Sequence, residues 1–444
     1  MNTWSKEIIL QKARELGVKF VRLQFTDILG IIKNVAIPYS QLERALENEI
    51  MFDGSSIEGF TRIEESDMNL RPVISSFAIF PWRPKRNGVA RLICDVYSPK
   101  GEPFAGDPRY VLKKVLAEAE ESGYTIKIGP ECEFFLFKLN EEGKPTNLTQ
   151  DEGGYFDMGP VDKGEDARRD IILALEEMGI EIMASHHEVA QGQHEVDLWF
   201  DDPLLTADQV TTYKFVTRAV ASKNGLCATF MPKPIVGING SGMHTHFSIY
   251  DHLGRNIFYD PRGKYHLSEV ALHFIGGLIQ HAPAITAISN PLVNSYKRLI
   301  PGYEAPIYIS WSGMNRSALV RIPASRVEDT RVEFRSPDPA CNPYLAFAVM
   351  IKAGMEGIKN KIEPPESVDG NVYEMNQEER KAAGIRRLPA NLMEALEELK
   401  RDELIRSVLG EHIYSHFMKA KRIEWELYQR EVHQWELDQY LGVF

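Results

Sequence analysis

A chain of 444 residues, 43% hydrophobic and 26% charged, has apolar surface for a large core and length for two or three domains. Its formal net charge of −12 disfavours indiscriminate binding to nucleic acid or anionic lipid, so an anionic ligand needs metals or arginines to reverse the local field. Cys94, Cys132, Cys227 and Cys341 stand far apart without a Cys-x-x-Cys pair, a pattern of reduced thiols rather than of a disulfide framework or zinc ribbon. The N-terminal stretch is charged throughout, and no uncharged apolar run is long enough to cross a bilayer, so the expected location is the cytoplasm, without membrane attachment.

In chain order, Ser5 caps a first helix whose apolar positions are Ile8, Ile9, Ala13 and Leu16, stopped by Gly17. Strand patterns follow at Lys19–Phe25 and Ile31–Ile37, a short helix near Ser40–Glu49, and further strands at Val73–Phe80 and Val89–Val96. Asp107-Pro108 is a helix start, a natural cap followed by a natural first helical residue. These elements predict a small α+β unit over residues 1–105 and a second unit over 106–444.

The second unit alternates helices and strands. Helices are predicted at Asp166–Met178, Thr206–Asn224 (opened by a Thr206-Ala-Asp-Gln209 capping box) and Ser268–Ala287. The strands Lys127–Phe137, Ile182–Ala190, His194–Phe200, Met243–Tyr250 and Thr330–Ser336 carry the polar clusters. From Leu388 onward the pattern is helical, and Trp425, Tyr428, Trp435, Tyr440 and Phe444 are too many large rings for a free tail, so they pack on the body or on a neighbouring subunit.

The chemistry concentrates on those strands. His187-Glu188-Val189 and His194-Glu195-Val196 flank Ala-Gln-Gly-Gln, with Gly192 free to take positive φ, which predicts a hairpin that brings Glu188 near Glu195. Glu131 and Glu133 share one strand face next to an apolar run, and close carboxylates repel unless a cation lies between them. His244, His246 and Ser248 share a face after a glycine-rich turn, and Arg331, Glu333 and Arg335 share another. Carboxylates with one histidine suit Mg²⁺ or Mn²⁺, and arginine forks bind carboxylate and phosphate oxygens. With no GxxxxGK[ST] loop, nucleotide phosphates fall to metals and arginines.

At these residues the sequence resembles bacterial type I glutamine synthetase over essentially its whole length. The resemblance rests on Asp53-Gly-Ser-Ser-Ile-Glu-Gly-Phe60, the Glu131/Glu133 strand, the Glu188/Glu195 hairpin, Asn239-Gly-Ser-Gly-Met-His244, Asn294-Ser-Tyr-Lys-Arg-Leu-Ile-Pro-Gly-Tyr-Glu304, Asn315-Arg-Ser317 and Arg331-Val-Glu-Phe-Arg335. It implies a β-grasp-like N-terminal domain (1–105) and a large catalytic α+β domain with a C-terminal helical tail (106–444), assembled as a dodecamer of two hexameric rings. It implies that ATP phosphorylates the γ-carboxylate of glutamate and that ammonia displaces phosphate, with two or more Mg²⁺ or Mn²⁺ ions per subunit.

Carried over motif by motif, the resemblance assigns Glu133, Glu188 and Glu195 to one metal, and Glu131, His244 and Glu333 to the other. Asn239, Gly240, Arg298 and Arg335 grip glutamate; Arg316 and Arg321 neutralise the transferring phosphoryl; His246 and Ser248 lie toward the nucleotide. Asp53 from the adjacent subunit, with Ser56 beside it, binds ammonium, and Glu304 is the acid of a closing flap. Cys132, Met183 and Val327-Glu-Asp329 depart from the family pattern; Met183 bears on ATP contacts and Val327-Glu-Asp329 on phosphate-loop geometry. Gly384-Ile-Arg-Arg-Leu-Pro389 lacks the modified tyrosine of adenylylated forms, so the chain resembles the shorter, glutamine-inhibited form, in which Arg62 and Glu424 serve glutamine sensing and a nitrogen-regulatory transcription factor is a candidate partner. The alternatives are a γ-glutamyl ligase for an amine or polyamine and a catalytically silent sensor or scaffold.

Overall fold

The structure is a computed structural model that describes residues 5–55, 57, 67–84, 87–313, 315–324 and 329–444. Ser56 and Arg62, together with Arg326, Val327 and Glu328, lie outside the described residues.

The N-terminal part comprises α1 (Lys6–Glu15), β1 (Val18–Thr26), β2 (Ile32–Pro38), α2 (Leu42–Leu46), β3 (Ile50–Asp53), β4 (Asp67–Pro72), β5 (Ala78–Ile79) and β6 (Gly88–Tyr97). The Ser5 hydroxyl accepts from the Ile8 amide and caps α1 as the sequence predicts, and Gly17 follows with φ +62°. The strands form one sheet in the order β2-β1-β6-β4-β3, with β5 also on β6; β1 and β6 run parallel. Its own core of Ile9, Val21, Leu23, Leu42, Leu70 and Leu92 is fully removed from water, each side chain contributing about 1.5–3 kcal/mol. Val73–Phe80 is not the predicted strand. Ile74–Ser76 is a 3₁₀ turn in which the Ser76 hydroxyl donates to the Val73 carbonyl, and only Ala78–Ile79 pairs with β6.

The larger part follows as α3 (Pro108–Glu121), β7 (Thr125–Leu139), β8 (Pro145–Thr149), α4 (Glu165–Glu177), β9 (Ile182–His187), β10 (Gln193–Leu198), α5 (Pro203–Lys223), β11 (Leu226–Thr229), β12 (Met243–Tyr250), α6 (Glu269–Ser289) and α7 (Ser295–Arg298). Then come β13 (Tyr308–Ile309), β14 (Trp311–Ser312), β15 (Val320–Arg321), β16 (Val332–Phe334), α8 (Pro343–Asn360), α9 (Gln377–Ala382), β17 (Arg386–Arg387), α10 (Leu392–Arg401), α11 (Glu403–Arg430) and α12 (Gln434–Tyr440). Asp107 caps α3 as predicted. Helix α5 starts one turn before its predicted capping box: Asp202 caps it with Pro203 in the first turn, and Thr206 sits inside, donating to the Asp202 carbonyl.

A second sheet, in the order β14-β15-β16-β12-β7-β10-β9 with β8 and β11 also on β7, carries every polar strand cluster named above. Its apolar face packs on α3, α5, α6 and α8 in one core. Helix α6 is long and apolar enough to cross a bilayer, but 83% of that stretch is buried inside the protein. Of the C-terminal rings, Trp425 packs against the core, whereas Trp435, Tyr440 and Phe444 are exposed.

Candidate active site

Strand register builds the site. On β7, Glu133 stands directly opposite Glu195 of β10, and Glu131 lies between Asp197 of β10 and His244 of β12. Like charges placed opposite one another oppose sheet formation unless something between them compensates. The hairpin β9–β10 turns through Gly192 at φ +65° and brings Glu188 and Glu195, with His186, to within 4.8 Å at their ligand atoms. Glu131, His246 and Glu333 form a second group at the same spacing.

Between these strands lies a cavity of about 300 Å³ lined by Glu131, Glu133, Glu188, Glu195 and His244. Asn239, Gly240, Arg298, Glu304, Arg316, Arg321 and Arg335 line the same cavity, so carboxylates and arginines share its wall. A second cavity, of about 380 Å³, shares Glu131 and holds His246, Ser248, Arg331, Met183 and the rings of Trp199, Phe200 and Tyr250. Glu333 lines neither cavity; it is fully buried behind them, its carboxylate bonded to Arg321 and Arg335.

The charges respond to this placement. Burial, then the nearby Glu188, pushes the Glu133 carboxyl up to about 8, although Arg298 and the Gly242 amide pull the other way. Burial and the Glu133 charge raise Glu195 well above the ordinary range. Burial also works to raise Glu131, but His246 and His244 reverse it and hold the carboxyl well below the usual range. His244 Nδ1 is 3.2 Å and His246 Nε2 2.7 Å from its two oxygens. His244 itself is pushed down to about 4 by burial and by Arg335, leaving it neutral and competent as a ligand. Two buried carboxylates that favour the proton in a cleft of oxygen donors and a neutral imidazole are chemically suited to a hard divalent cation.

Arg298 is 2% exposed and is held by backbone: Nη1 donates to the Ser336 carbonyl at 2.7 Å, and Nη2 to the Arg335 carbonyl at 3.3 Å. Asn239 Nδ2 donates to Glu304. Asp53 does not line the cavity of its own chain; it ends β3, where its carboxylate accepts from the Ser55 amide. Glu424 is remote from this cavity. It pairs with Lys421 at 2.8 Å, accepts from the Val293 amide, and borders a separate cavity of about 470 Å³.

Several lining residues escaped the sequence reading. Gln193, which donates to Glu133 at 2.7 Å, and Asp197 were accessible to it, since they alternate with Glu195 on β10. Tyr155, on the loop after β8, carries no such local signal, nor does His186, which lies 2.9 Å from Glu188 without lining either cavity.

Known proteins resemble this chain over its whole length. The glutamine synthetase β-grasp domain matches residues 17–99 and the glutamine synthetase catalytic domain residues 105–440. A glutamine synthetase of Clostridium saccharobutylicum is 56% identical over 444 residues, all of both chains. One from Thermus thermophilus is 58% identical over 99% of this chain and 100% of its own. A GmaS/ADP complex superposes with a TM-score of 0.88 at 34% identity, covering 98% of this chain and 99% of that one. The chain belongs to the glutamine synthetase family, whose members join ammonia to glutamate at the expense of ATP with the help of divalent metals.

Proposed function

We propose that the carboxylate–arginine cavity is where this chain makes glutamine from glutamate and ammonium through a γ-glutamyl phosphate, with ATP entering by the ring-lined cavity beyond Glu131. The observation that carries this reading is the pairing of Glu133 with Glu195 across β7 and β10, both raised by burial and by neighbouring carboxylates, in a cavity that Arg298, Arg316, Arg321 and Arg335 also line. Glu133, Glu188 and Glu195 hold one Mg²⁺ or Mn²⁺ ion, and Glu131, His244 and Glu333 another. Bound there, the cations supply charge neutralisation for the phosphates. Arg298, Arg335 and the Asn239-Gly240 turn orient glutamate, while Arg316 and Arg321 stabilise negative charge on the transferring group. His246 and Ser248 face the nucleotide, and the relative solved with ADP supports a nucleotide site on this scaffold. Glu304 closes the site.

Asp53 of the neighbouring subunit in a ring binds ammonium, and the assembly is a dodecamer of two hexameric rings. The domain boundary lies at residue 105, the chain works in the cytoplasm, and Arg62 with Glu424 senses glutamine; a nitrogen-regulatory transcription factor is a further partner. The test is phosphate release from Mg-ATP and glutamate, comparing ammonium with a panel of amines. Ammonium-dependent release with glutamine formed is the expected result; release only with an amine, or none at all from assembled protein, overturns the reading.

A further inference from the structure

The hairpin β9–β10 repeats His-Glu, and the proposed chemistry uses only the glutamates. Alternation turns the neighbouring histidines away from the cavity: His187 and His194 stand opposite each other in register, their rings 4.9 Å apart, and neither is exposed. Behind them lie Asp151 and Asp162, also buried, and the four side chains bring potential ligand atoms within 4.8 Å of one another. The chain already supplies a cation there. Arg168 Nη1 donates to Asp162 at 2.7 Å and lies 2.8 Å from His194 Nδ1; a guanidinium can only donate, so that ring nitrogen accepts. The cluster is therefore a brace, with Arg168 compensating one of its two carboxylates.

The brace reaches Glu188 and the hairpin turn through backbone. One Asp151 oxygen accepts from the Gly192 amide at 3.0 Å and faces His187 Nε2 at 3.2 Å, while the other accepts from the Lys163 amide at 3.1 Å. His187 Nδ1 donates to the Glu188 carbonyl at 2.7 Å, and the Glu188 amide donates to the Gln193 carbonyl at 2.8 Å. Both polar backbone groups of Glu188 are thus fixed, one of them by His187. The surroundings leave no slack: a Cβ on Gly164 would come within 2.4 Å of His194 Nε2, and one on Gly192 within 3.0 Å of the Leu136 carbonyl.

We infer that His187 and His194, held by Asp151 and Arg168, are positioning residues that set Glu188 and Glu195 at the separation a divalent cation requires. The inference rests on the reading that these two glutamates hold a metal. Partners that orient ligands in this way typically change metal affinity by about 10–100-fold when removed.

The experiment titrates Mn²⁺ into assembled, nucleotide-free enzyme and reads free Mn²⁺ by its electron paramagnetic resonance signal, for the parent, Asp151→Asn, His187→Gln and Glu188→Gln. Expected is a weakening of one Mn²⁺ class by about 10–100-fold in Asp151→Asn and His187→Gln, and its loss in Glu188→Gln. The Mn²⁺ concentration for half-maximal glutamine formation should rise by the same factor. A merely structural role would lower the melting temperature of metal-free protein without moving the affinity. Affinity within about twofold of the parent in both brace variants, with Glu188→Gln still losing the class, overturns the inference alone. Unchanged binding in Glu188→Gln overturns the metal reading and the inference together. If Asp151→Asn fails to assemble, His187→Gln decides.

Discussion

Asn239 donates a hydrogen bond to Glu304 over 3.1 Å, joining two loops 65 residues apart that both line the cavity shared by the carboxylates and arginines. Glu304 makes this contact from a left-handed backbone, φ +56°, which costs a non-glycine residue about 1–2 kcal/mol. Glu304→Gly should therefore raise stability by about 0.5–1 kcal/mol in thermal unfolding while ammonium-dependent glutamine formation falls by about 10²-fold or more. Stability and activity moving in the same direction would deny Glu304 its role in closing the site.

Metal-free protein should show a pH dependence set by the carboxylates. Glu133 titrates at about 8 in the folded chain against an ordinary 4.5, so folding takes up its proton. That contribution is full below the ordinary value and is lost as pH rises through about 8. Glu131 and Glu333 are lowered, against the pull of burial, by neighbouring histidines and, for Glu333, Arg335; their contribution is present above the ordinary carboxylate range and lost in acid. On the proposed assignment of a divalent cation to Glu133, the cation displaces its proton, so the rise in melting temperature on adding Mn²⁺ should be larger near about pH 8 than near about pH 6. Equal rises at both would contradict the assignment.

Glu333 is wholly buried and carries two arginines. Glu333→Ala should destabilise the fold by about 3–5 kcal/mol in denaturant unfolding, because two guanidinium groups lose their counter-charge. Glu333→Gln, which keeps an acceptor, should cost less. A loss below about 1 kcal/mol for the alanine variant would mean that water or another anion replaces it.

Trp435, Tyr440 and Phe444 are 62%, 48% and 99% exposed on one protomer, more aromatic surface than a solitary tail retains without a partner. Truncation after Glu431 should lower the assembled mass or its persistence on dilution, read by light scattering, with the protomer's circular dichroism nearly unchanged. Full assembly of the truncated chain would return these rings to solvent.

The sequence was most legible where alternation and charge coincide. Met243–Tyr250 is a strand with the bounds read from its pattern, and the Gly192 hairpin joins Glu188 to Glu195 as the repeated His-Glu suggested. Legibility failed where tertiary pairing decides. Val73–Phe80 has strand composition, yet only Ala78–Ile79 finds an edge on β6. Thr206 had the form of a cap, but Asp202-Pro203 offered a better start one turn earlier. The two metal-ligand groupings also differ in detail from the carried-over sets, with His186 beside Glu188 and Glu195, and His246 beside Glu131 and Glu333. Such neighbours depend on how strands register in space, which spacing along one strand does not reveal.

Helices α6 and α8 cross with backbone against backbone: a Cβ on Gly277 would lie 2.0 Å from the Ala353 carbonyl, and one on Gly357 2.1 Å from the His273 carbonyl. At the end of α6, Asn290 binds the Ser336 carbonyl and Asp338, the segment whose carbonyls grip Arg298. The helix pair is therefore an anvil. Neither helix can slide without first separating, so the segment that holds Arg298, and with it the guanidinium on the cavity wall, is fixed to the core of the larger part.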